Sequence, residues 1–310
     1  MAVNLKGRDL ISLQDYSEEE IWQILKTAEY LKMLQKSGGK WRPLEGKTLG
    51  MLFTKPSTRT RVSFEVAIYQ LGGYGLFLTG NELQLRRGEA IADTARVLSR
   101  YLDGLMIRTY DHDEVIDLAH YADIPIINGL TDLVHPTQVL ADFFTLYEKK
   151  GHLRGLKLAY IGDGNNVTHS LMFGAAKVGI DLSVATPEGY EPNEEVVKVA
   201  RRDAEESGAS IELFHDPWEA VRGADAVYTD VWASMGQEEE HAERVKVFQP
   251  YQVNEELMAA AKGNALFLHC LPAHRGEEVT DEVIDGDQSV VFDEAENRLH
   301  VHKAILALLL

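Results

Sequence analysis

Hydroxyl and guanidinium side chains are concentrated in the pentapeptide Ser57-Thr58-Arg59-Thr60-Arg61. An alternating apolar run that ends at Phe53 precedes it, and apolar residues at helical spacing follow it, so the pentapeptide is predicted to lie at a helix N-terminus. There, unpaired backbone N–H groups and the helix dipole favour an anion, and arginine binds phosphate oxygens bidentately. The pattern predicts a site for a small phosphate ester. The alternative is an ordinary capped helix with solvated arginines, and Arg61, one turn into the helix, is expected to point away and pair with an acid.

The elements around this pentapeptide alternate between strand-like and helical patterns. After the first strand and helix, strand-like runs at 75–78, 104–107 and 125–128 alternate with helical runs at 88–102, 112–122 and 135–149. A second series has strand-like runs at 156–161, 181–186, 210–214, 225–230, 265–270 and 289–292 and helical runs at 167–178, 193–206, 238–247 and 254–261. The sequence therefore predicts an α/β fold in which each series forms a parallel β-sheet flanked by helices.

A polar break at 148–152 separates the two series and predicts two domains, 1–150 and 151–296. The apolar end of the chain, 304–310, is far too short to span a bilayer. It is expected to be a docked terminal helix that packs back on the first domain, so that 297–310 joins that domain.

Ligands of open α/β sheets bind beyond the carboxyl ends of the strands. Chemically useful side chains follow several of the predicted strands: Arg108, His135, Gln138, Asn166, Asp230 and Cys270. All of them except Gln138 have a structural alternative. The arginine is also expected in a rim salt bridge, the histidine, asparagine and aspartate in helix caps, and the cysteine in a buried, inert position.

Composition excludes some partners and favours a cytoplasmic location. The net charge of −18 and the pI near 5.0 argue against nucleic acid or an anionic membrane as the main partner. Cys270 is the only cysteine, so an intrachain disulfide cannot form, and the residues before Lys6 do not read as a secretory signal.

The sequence predicts neither a metal nor an organic cofactor. The Gly162-Asp163-Gly164 turn resembles a dinucleotide fingerprint, but Val167 occupies the position of the third glycine. Cys270, beside His269 and His274, lacks the paired spacing of zinc sites. The histidines of the 300–302 segment are expected at the surface or in an interface.

Four motifs together resemble the aspartate/ornithine carbamoyltransferase family, and specifically its ornithine enzymes. They are 57–61, His-Pro-Thr-Gln at 135–138, Asp230 through Ser234-Met235-Gly236, and His-Cys-Leu-Pro at 269–272. The first two are shared with the aspartate enzymes and imply carbamoyl phosphate, whereas the last two distinguish the ornithine enzymes. The resemblance covers nearly the whole chain.

The resemblance implies a role for each matching position. Carbamoyl phosphate would be bound in the first domain and L-ornithine in the second. The residues implied for carbamoyl phosphate are Ser57, Thr58, Arg59, Thr60, Gln84, Arg108, His135, Gln138, Cys270, Leu271 and Arg298, and those implied for ornithine are Asn166, Asp230, Ser234 and Met235. Catalytic roles are implied for Arg59, Arg108, His135 and Cys270.

The expected reaction gives L-citrulline and phosphate, as in arginine biosynthesis, and the expected assembly is a homotrimer or a multiple of trimers. Gln84 lies in a loop, 83–88, of a kind that varies within the family. A putrescine or N-acetylornithine carbamoyltransferase and a non-catalytic binding homologue are the alternatives. The direction of the reaction in the cell stays open.

Overall fold

The computed structural model describes residues 3–80, 89–234, 236 and 238–310. The chain forms two compact units, one of Met1–Phe144 with Glu296–Leu310 and the other of Thr145–Ala295. The first is called unit 1 and the second unit 2. Each contains a parallel β-sheet flanked by helices, which confirms the predicted fold class. The predicted boundary at residue 150 is the end of a helix, Pro136–Lys150, and the compact division falls earlier inside that helix.

Unit 1 is built on a four-stranded sheet in the order β2-β1-β3-β4. Its strands are β1 (Thr48–Phe53), β2 (Tyr74–Thr79), β3 (Gly104–Arg108) and β4 (Ile126–Leu130). Its helices are α1 (Glu18–Lys36), α2 (Thr58–Gln70), α3 (Ile91–Leu98), α4 (His112–Tyr121), α5 (Pro136–Lys150, which extends into unit 2) and most of α12 (Val291–Leu309).

The register of this sheet places the candidate residues of unit 1 at one edge. β1 is central and buried from Leu49 to Phe53, as expected for a parallel strand covered on both faces. Phe53 pairs with Arg108 at the carboxyl end of β3, and an irregularity in the β3–β4 register then pairs Arg108 with Leu130. The turn before α2, the end of β3 and the segment before α5 therefore all leave the same edge of the sheet.

The carboxyl-terminal helix packs on unit 1, as expected. Lys32 donates to Asn297 at 2.7 Å, and the ring of His302 stacks on Phe64 with the ring centroids 3.8 Å apart. The expectation that His300 and His302 lie at the surface is wrong, because they are 1% and 0% exposed. Their polar type suggested the surface, but this part of α12 is covered on all sides, since the consecutive residues 300–304 are all buried.

Unit 2 is built on a five-stranded parallel sheet in the order β7-β6-β5-β8-β9. Its strands are β5 (Lys157–Ile161), β6 (Asp181–Ala185), β7 (Ile211–Phe214), β8 (Ala226–Thr229) and β9 (Leu266–Leu268). Its helices are α6 (Asn166–Val178), α7 (Glu194–Ser207), α8 (Pro217–Val221), α9 (His241–Phe248), α10 (Glu255–Ala259) and α11 (Asp281–Ile284).

One predicted strand, 289–292, is wrong. Only Ser289 forms an isolated bridge, to Phe267, and α12 begins at Val291. Val290 and Val291 are buried whereas Phe292 is 67% exposed, so the short apolar run is the start of a helix. Such short runs do not distinguish strand from helix by composition.

Among the described residues, no helix is both long and apolar enough to cross a membrane.

Candidate active site

The start of α2 in unit 1 has the geometry of an anion site. Ser57 is the N-cap, and its Oγ accepts the Thr60 N–H at 3.2 Å and donates to Thr60 Oγ1 at 3.1 Å. Thr58 is exposed at the first helical position. Arg59 is half-buried, and its guanidinium forms neither a hydrogen bond nor an ion pair with the residues that the structure describes. A positive group is therefore available at the positive end of the helix dipole.

Arg61 points away from this site, as predicted. Its Nε lies 3.6 Å from Glu65 Oε2, one turn further along α2, and its guanidinium lies 3.7 Å from the ring centroid of Phe77. The side chain is exposed. Arg61 thus belongs to the surface of α2.

Two further cations are buried at the same edge of the sheet. Arg108 is 4% exposed at the end of β3, and Lys55 is 3% exposed in the turn after β1. The Nζ of Lys55 lies 2.8 Å from Asp132 Oδ1 and above the ring of Tyr110. The sequence analysis missed Lys55, although a lysine two residues before the predicted N-cap was visible as a signal.

His135 supplies a neutral imidazole to this group. It precedes α5, and its carbonyl oxygen accepts the Gln138 N–H at 3.2 Å. Burial is the main cause that holds the pKa of His135 well below 6.5, and the neighbouring positive charges of Arg298 and Arg108 lower it further. At neutral pH the ring is therefore uncharged, and it can donate one hydrogen bond without adding another positive charge.

Arg298 is bound to two of the other implied residues. Its Nη1 donates to Gln138 Oε1 at 2.6 Å, and its Nη2 donates to Thr60 Oγ1 at 2.7 Å. Gln138 Nε2 in turn donates to Asp142 Oδ1 at 2.8 Å. These four side chains are at most 3% exposed. The network orients the Gln138 amide and the Thr60 hydroxyl, and it includes Asp142, which the sequence analysis did not identify.

Asp230 is the centre of the candidate residues in unit 2. It follows β8 and is 6% exposed. Its Oδ1 accepts the Val231 N–H at 2.8 Å and the Cys270 thiol at 3.0 Å, while its Oδ2 accepts from Asn165 Nδ2 at 2.9 Å. The structure thus brings Asp230 and Cys270 together, across 40 residues of sequence.

Asn165, which the sequence analysis did not single out, links the start of α6 to Asp230. Its Oδ1 caps the helix by accepting the N–H groups of Val167 and Thr168, and this leaves its Nδ2 for the carboxylate. Asn166, the predicted residue, is half-buried at the first helical position. Placing the N-cap one residue earlier in the sequence would have identified Asn165.

The segment after β9 holds the thiol in place through hydrogen bonds of its neighbours. Leu271, which has a φ of 58° and precedes a cis peptide bond to Pro272, donates its N–H to His269 Nδ1 at 2.8 Å. Because Nδ1 accepts, Nε2 must carry the proton, and it donates to Glu278 Oε1 at 3.1 Å.

Asp230, His269 and Cys270 have potential metal-ligand atoms within 4.8 Å of one another. However, both ring nitrogens of His269 are hydrogen-bonded, and the Cys270 thiol is bonded to Asp230. In this arrangement the three side chains form a hydrogen-bonded cluster and do not present vacant ligand positions.

Arg244 braces the loop that follows Asp230. Its Nη1 donates to the carbonyl of Trp232 at 2.9 Å and lies 3.2 Å from Asp163 Oδ2, while its Nε lies 3.0 Å from Glu240 Oε2. Burial raises the pKa of Asp163 to about 6, although Arg244 acts in the opposite direction. Sequence reasoning missed Arg244, which lies in an ordinary helical pattern far from any motif.

Ser234 is half-buried in this braced loop. Met235 and Gln84 lie outside the described residues.

The two glycines of the 162–164 turn are required for different reasons, Gly162 for its backbone conformation and Gly164 for close packing. Gly162 has a φ of 146°, and a Cβ on Gly164 would lie 2.3 Å from the backbone nitrogen of Pro192. Only glycine fits at such a distance.

The fold and these residues define a two-unit α/β protein with a cluster of cationic side chains in one unit and a hydrogen-bonded carboxylate–thiol pair in the other. The chain belongs to the aspartate/ornithine carbamoyltransferase family. The family's carbamoyl-P binding domain matches residues 8–148, and its Asp/Orn binding domain matches residues 154–309.

Full-length relatives agree with this membership. The chain is 64% identical over 310 residues to an ornithine carbamoyltransferase of Pyrococcus abyssi, covering 100% of this chain and 98% of the relative. It is 63% identical, with the same coverage, to an anabolic ornithine carbamoyltransferase of Pyrococcus furiosus. A solved structure of ornithine carbamoyltransferase from Pyrococcus furiosus superimposes with a TM-score of 0.97 over 99% of this chain and 98% of that one.

Proposed function

We propose that the protein transfers the carbamoyl group of carbamoyl phosphate to the side-chain amine of L-ornithine, giving L-citrulline and phosphate. The observation that carries the proposal is the division of charge between the two candidate sites. Unit 1 has a half-buried guanidinium at a helix start, with a neutral imidazole in the same set, and unit 2 has a carboxylate bonded to a thiol. The high identity to ornithine carbamoyltransferases along the full chain supports the same reaction.

Phosphate binding is assigned to the start of α2 and the end of β3. The backbone N–H groups of the first helical turn, with Ser57, Thr58 and Thr60, donate to phosphate oxygens, and Arg59 and Arg108 supply positive charge. As the carbonyl–phosphate bond breaks, negative charge grows on the leaving phosphate. Fixed donors and cations at that position stabilise the transition state more than the ground state.

The carbamoyl group is assigned to His135 and Gln138, together with Arg59 and Thr60. Attack by an amine develops negative charge on the carbonyl oxygen, which needs hydrogen-bond donors. The lowered pKa of His135 favours a neutral donor at this oxygen. Since Arg298 is bonded to both Thr60 and Gln138, we assign it the role of positioning these two donors.

Ornithine binding is assigned to unit 2. Asp230 receives the α-ammonium group, and Asn165 holds the carboxylate of Asp230 in place. Asn166, Ser234 and Met235 contact the amino-acid end of ornithine. Cys270 and the backbone of Leu271 lie beside the side-chain amine and the carbamoyl group. Gln84 completes the proposed carbamoyl phosphate contacts.

The side-chain amine must lose a proton before it attacks, because an alkyl ammonium group is charged at neutral pH. The hydrogen-bonded pair of Cys270 and Asp230 and the substrate phosphate are the two candidate acceptors. The catalytic set is accordingly Arg59, Arg108, His135 and Cys270.

The biosynthetic direction is proposed because a 63% identical relative is named anabolic. We also propose a cytoplasmic homotrimer, or a multiple of trimers, as the working form. The domain assignment stays a proposal: residues 1–150 with 297–310 for carbamoyl phosphate and 151–296 for ornithine.

The test is steady-state carbamoylation with a panel of amines: L-ornithine, putrescine, N-acetylornithine and L-aspartate. Losing a charge-assisted hydrogen bond from the α-ammonium costs about 1.5–3 kcal/mol, so kcat/KM for putrescine should be about 10–100-fold below that for ornithine. A higher kcat/KM for putrescine or N-acetylornithine would refute the ornithine assignment, and the absence of turnover with every amine would refute the enzymatic proposal.

A further inference from the structure

Two histidines and two glutamates that the proposed reaction does not use lie together in unit 2. His241 is the first residue of α9, and His274, Glu277 and Glu278 follow β9. His241 Nε2 lies 3.0 Å from Glu277 Oε2, and His274 Nδ1 lies 3.9 Å from the same oxygen. The potential ligand atoms of His241, His274 and Glu277 are all within 4.8 Å of one another.

Glu278 directs a buried carboxylate oxygen toward this cluster. Its side chain is fully buried, and its Oε1 accepts from the His274 N–H at 2.6 Å and from His269 Nε2 at 3.1 Å. Its Oε2 has no hydrogen-bond partner among the described residues and lies 3.7 Å from His274 Nδ1. A buried carboxylate oxygen without a donor is costly, and a cation at this position would satisfy it.

We propose that His241, His274 and Glu277, with Glu278 Oε2 as the fourth ligand, bind a divalent transition-metal ion of the zinc type. Two imidazoles with carboxylates suit Zn²⁺, whereas Ca²⁺ and Mg²⁺ prefer oxygen-only sets. The site is distinct from the Asp230–His269–Cys270 cluster, where hydrogen bonds occupy both histidine nitrogens.

Three of the separations between these ligand atoms are already close to those of a zinc site, and the histidine rings must turn to bring Glu278 Oε2 within reach of the same ion. Ligand atoms around a tetrahedral zinc ion at its usual bond lengths are about 3.3 Å apart. The three measured separations run from 3.0 to 3.9 Å. The side chains of His241 and His274 are 42% and 46% exposed, so both rings can turn and an ion can enter from solvent.

Such an ion would cross-link two segments that are far apart in sequence. His241 follows the loop that carries Asp230 and Ser234, and His274 follows Cys270 and Leu271. Since the ion would bind the folded unit and not the unfolded chain, it would raise the melting temperature. The proposed metal ion takes no part in the carbamoyl transfer proposed above.

The experiment titrates untagged protein with Zn²⁺ against a chromophoric chelator and with Co²⁺ by visible absorption. His241→Gln and His274→Gln are the test variants. His215→Gln is the matched control, because His215 also faces a glutamate, Glu191 at 3.8 Å, but belongs to no potential metal-ligand cluster among the described residues. Cys270→Ser removes the rival cluster.

We expect one Zn²⁺ equivalent in the wild type, His215→Gln and Cys270→Ser, with a rise in melting temperature and a Co²⁺ spectrum free of thiolate bands. Altering groups that only support metal ligands weakens binding about 10–100-fold, so loss of a ligand in His241→Gln or His274→Gln should cost at least as much. Absence of binding in the wild type, unchanged binding in both histidine variants, or loss in Cys270→Ser alone would overturn the proposal. Circular dichroism checks that each variant is folded.

Discussion

The candidate site of unit 1 and that of unit 2 are built in different ways. In unit 1 the hydrogen-bond donors lie on segments that begin at one edge of the sheet. A buried network that links Arg298 to Thr60, Gln138 and Asp142 fixes the orientation of these side chains. In unit 2 the carboxylate of Asp230 depends on an asparagine cap, a thiol and a loop that one arginine braces. The first arrangement is fixed by main elements of the fold, whereas the second depends on side chains from separate segments.

The two sites also differ in charge, although the whole chain carries a net charge of −18. Unit 1 gathers the buried cations Lys55, Arg108 and Arg298 and lowers the pKa of His135. Unit 2 buries the carboxylate of Asp230. Each site therefore has the charge opposite to that of its proposed ligand, and charge-removing substitutions should separate the two roles.

The largest effect is expected for Arg59→Ala. Removing one donor that stabilises developing charge costs about 100–1000-fold in kcat, and the loss of a phosphate contact adds to this in kcat/KM for carbamoyl phosphate. Arg61→Ala is the matched control, since that side chain pairs with Glu65 on the surface. Initial rates of citrulline formation check both variants, and near-normal turnover of Arg59→Ala would refute the assigned role.

Asp230→Asn should have the next largest effect, and it should fall on the other substrate. The amide keeps the shape of the carboxylate but loses its charge, which costs about 10–100-fold in kcat/KM for ornithine. The KM for carbamoyl phosphate should stay unchanged. Glu212→Gln, an exposed acid on β7, is the control for removing one negative charge from unit 2. Equal losses for both substrates would contradict the separation of roles.

A smaller effect is expected for Cys270→Ser, because the serine hydroxyl can still donate to Asp230 Oδ1. The KM for ornithine should rise several-fold, on the scale of one modest hydrogen bond. Steady-state rates at varied ornithine and fixed, saturating carbamoyl phosphate measure this. A change confined to the KM for carbamoyl phosphate would place the thiol elsewhere.

The smallest effect concerns stability against acid, where the buried histidines of α12 and the buried Asp163 should contribute with opposite sign. Burial lowers the pKa of His300 to about 4 and that of His302 well below 6.5. The unfolded chain therefore binds more protons than the folded one between about pH 4 and 6.5, so these histidines reduce stability as pH falls through that window. For Asp163 the pKa in the folded state is raised to about 6, so the folded chain binds more protons than the unfolded one. Asp163 therefore lowers the free energy of unfolding as pH rises from about 4 to 6.

Substituting His302→Phe should reduce the loss of melting temperature between pH 7.5 and 5.5, because the phenyl ring keeps the stack on Phe64 without binding a proton. His152→Gln, at an exposed position in unit 2, should leave that loss unchanged. An identical pH dependence in wild type and His302→Phe would show that His302 does not carry this effect.

The comparison of the two sites also explains what the sequence could predict. The start of α2 could be predicted, because the N-cap, the arginines and the hydroxyl side chains are contiguous and are followed directly by apolar residues at helical spacing. Arg298 and Gln138 are 160 residues apart, and only the family resemblance linked them. The contact of Arg244 with Asp163 carries no local signal, so Arg244 was missed. Asn165 was missed because the N-cap of α6 was expected one residue later.

The errors have the same origin. His302 has a polar side chain and was therefore expected at the surface, yet the packing of α12 on unit 1 buries it. The run at 289–292 is apolar and short, and only its tertiary surroundings decide that a helix begins there. The cluster of His241, His274 and Glu277 likewise joins two separate segments, and the spacing of either segment alone does not predict it.

The separation of roles is tested most directly by equilibrium binding of carbamoyl phosphate, measured by calorimetry in the absence of ornithine. Wild type, Arg59→Ala and Asp230→Asn are compared under identical conditions. Arg59→Ala should weaken binding about 10–100-fold, as expected for loss of a charge-assisted contact, while Asp230→Asn should bind as wild type does. Weakening of similar size in Asp230→Asn, or unchanged binding in Arg59→Ala, would contradict the account.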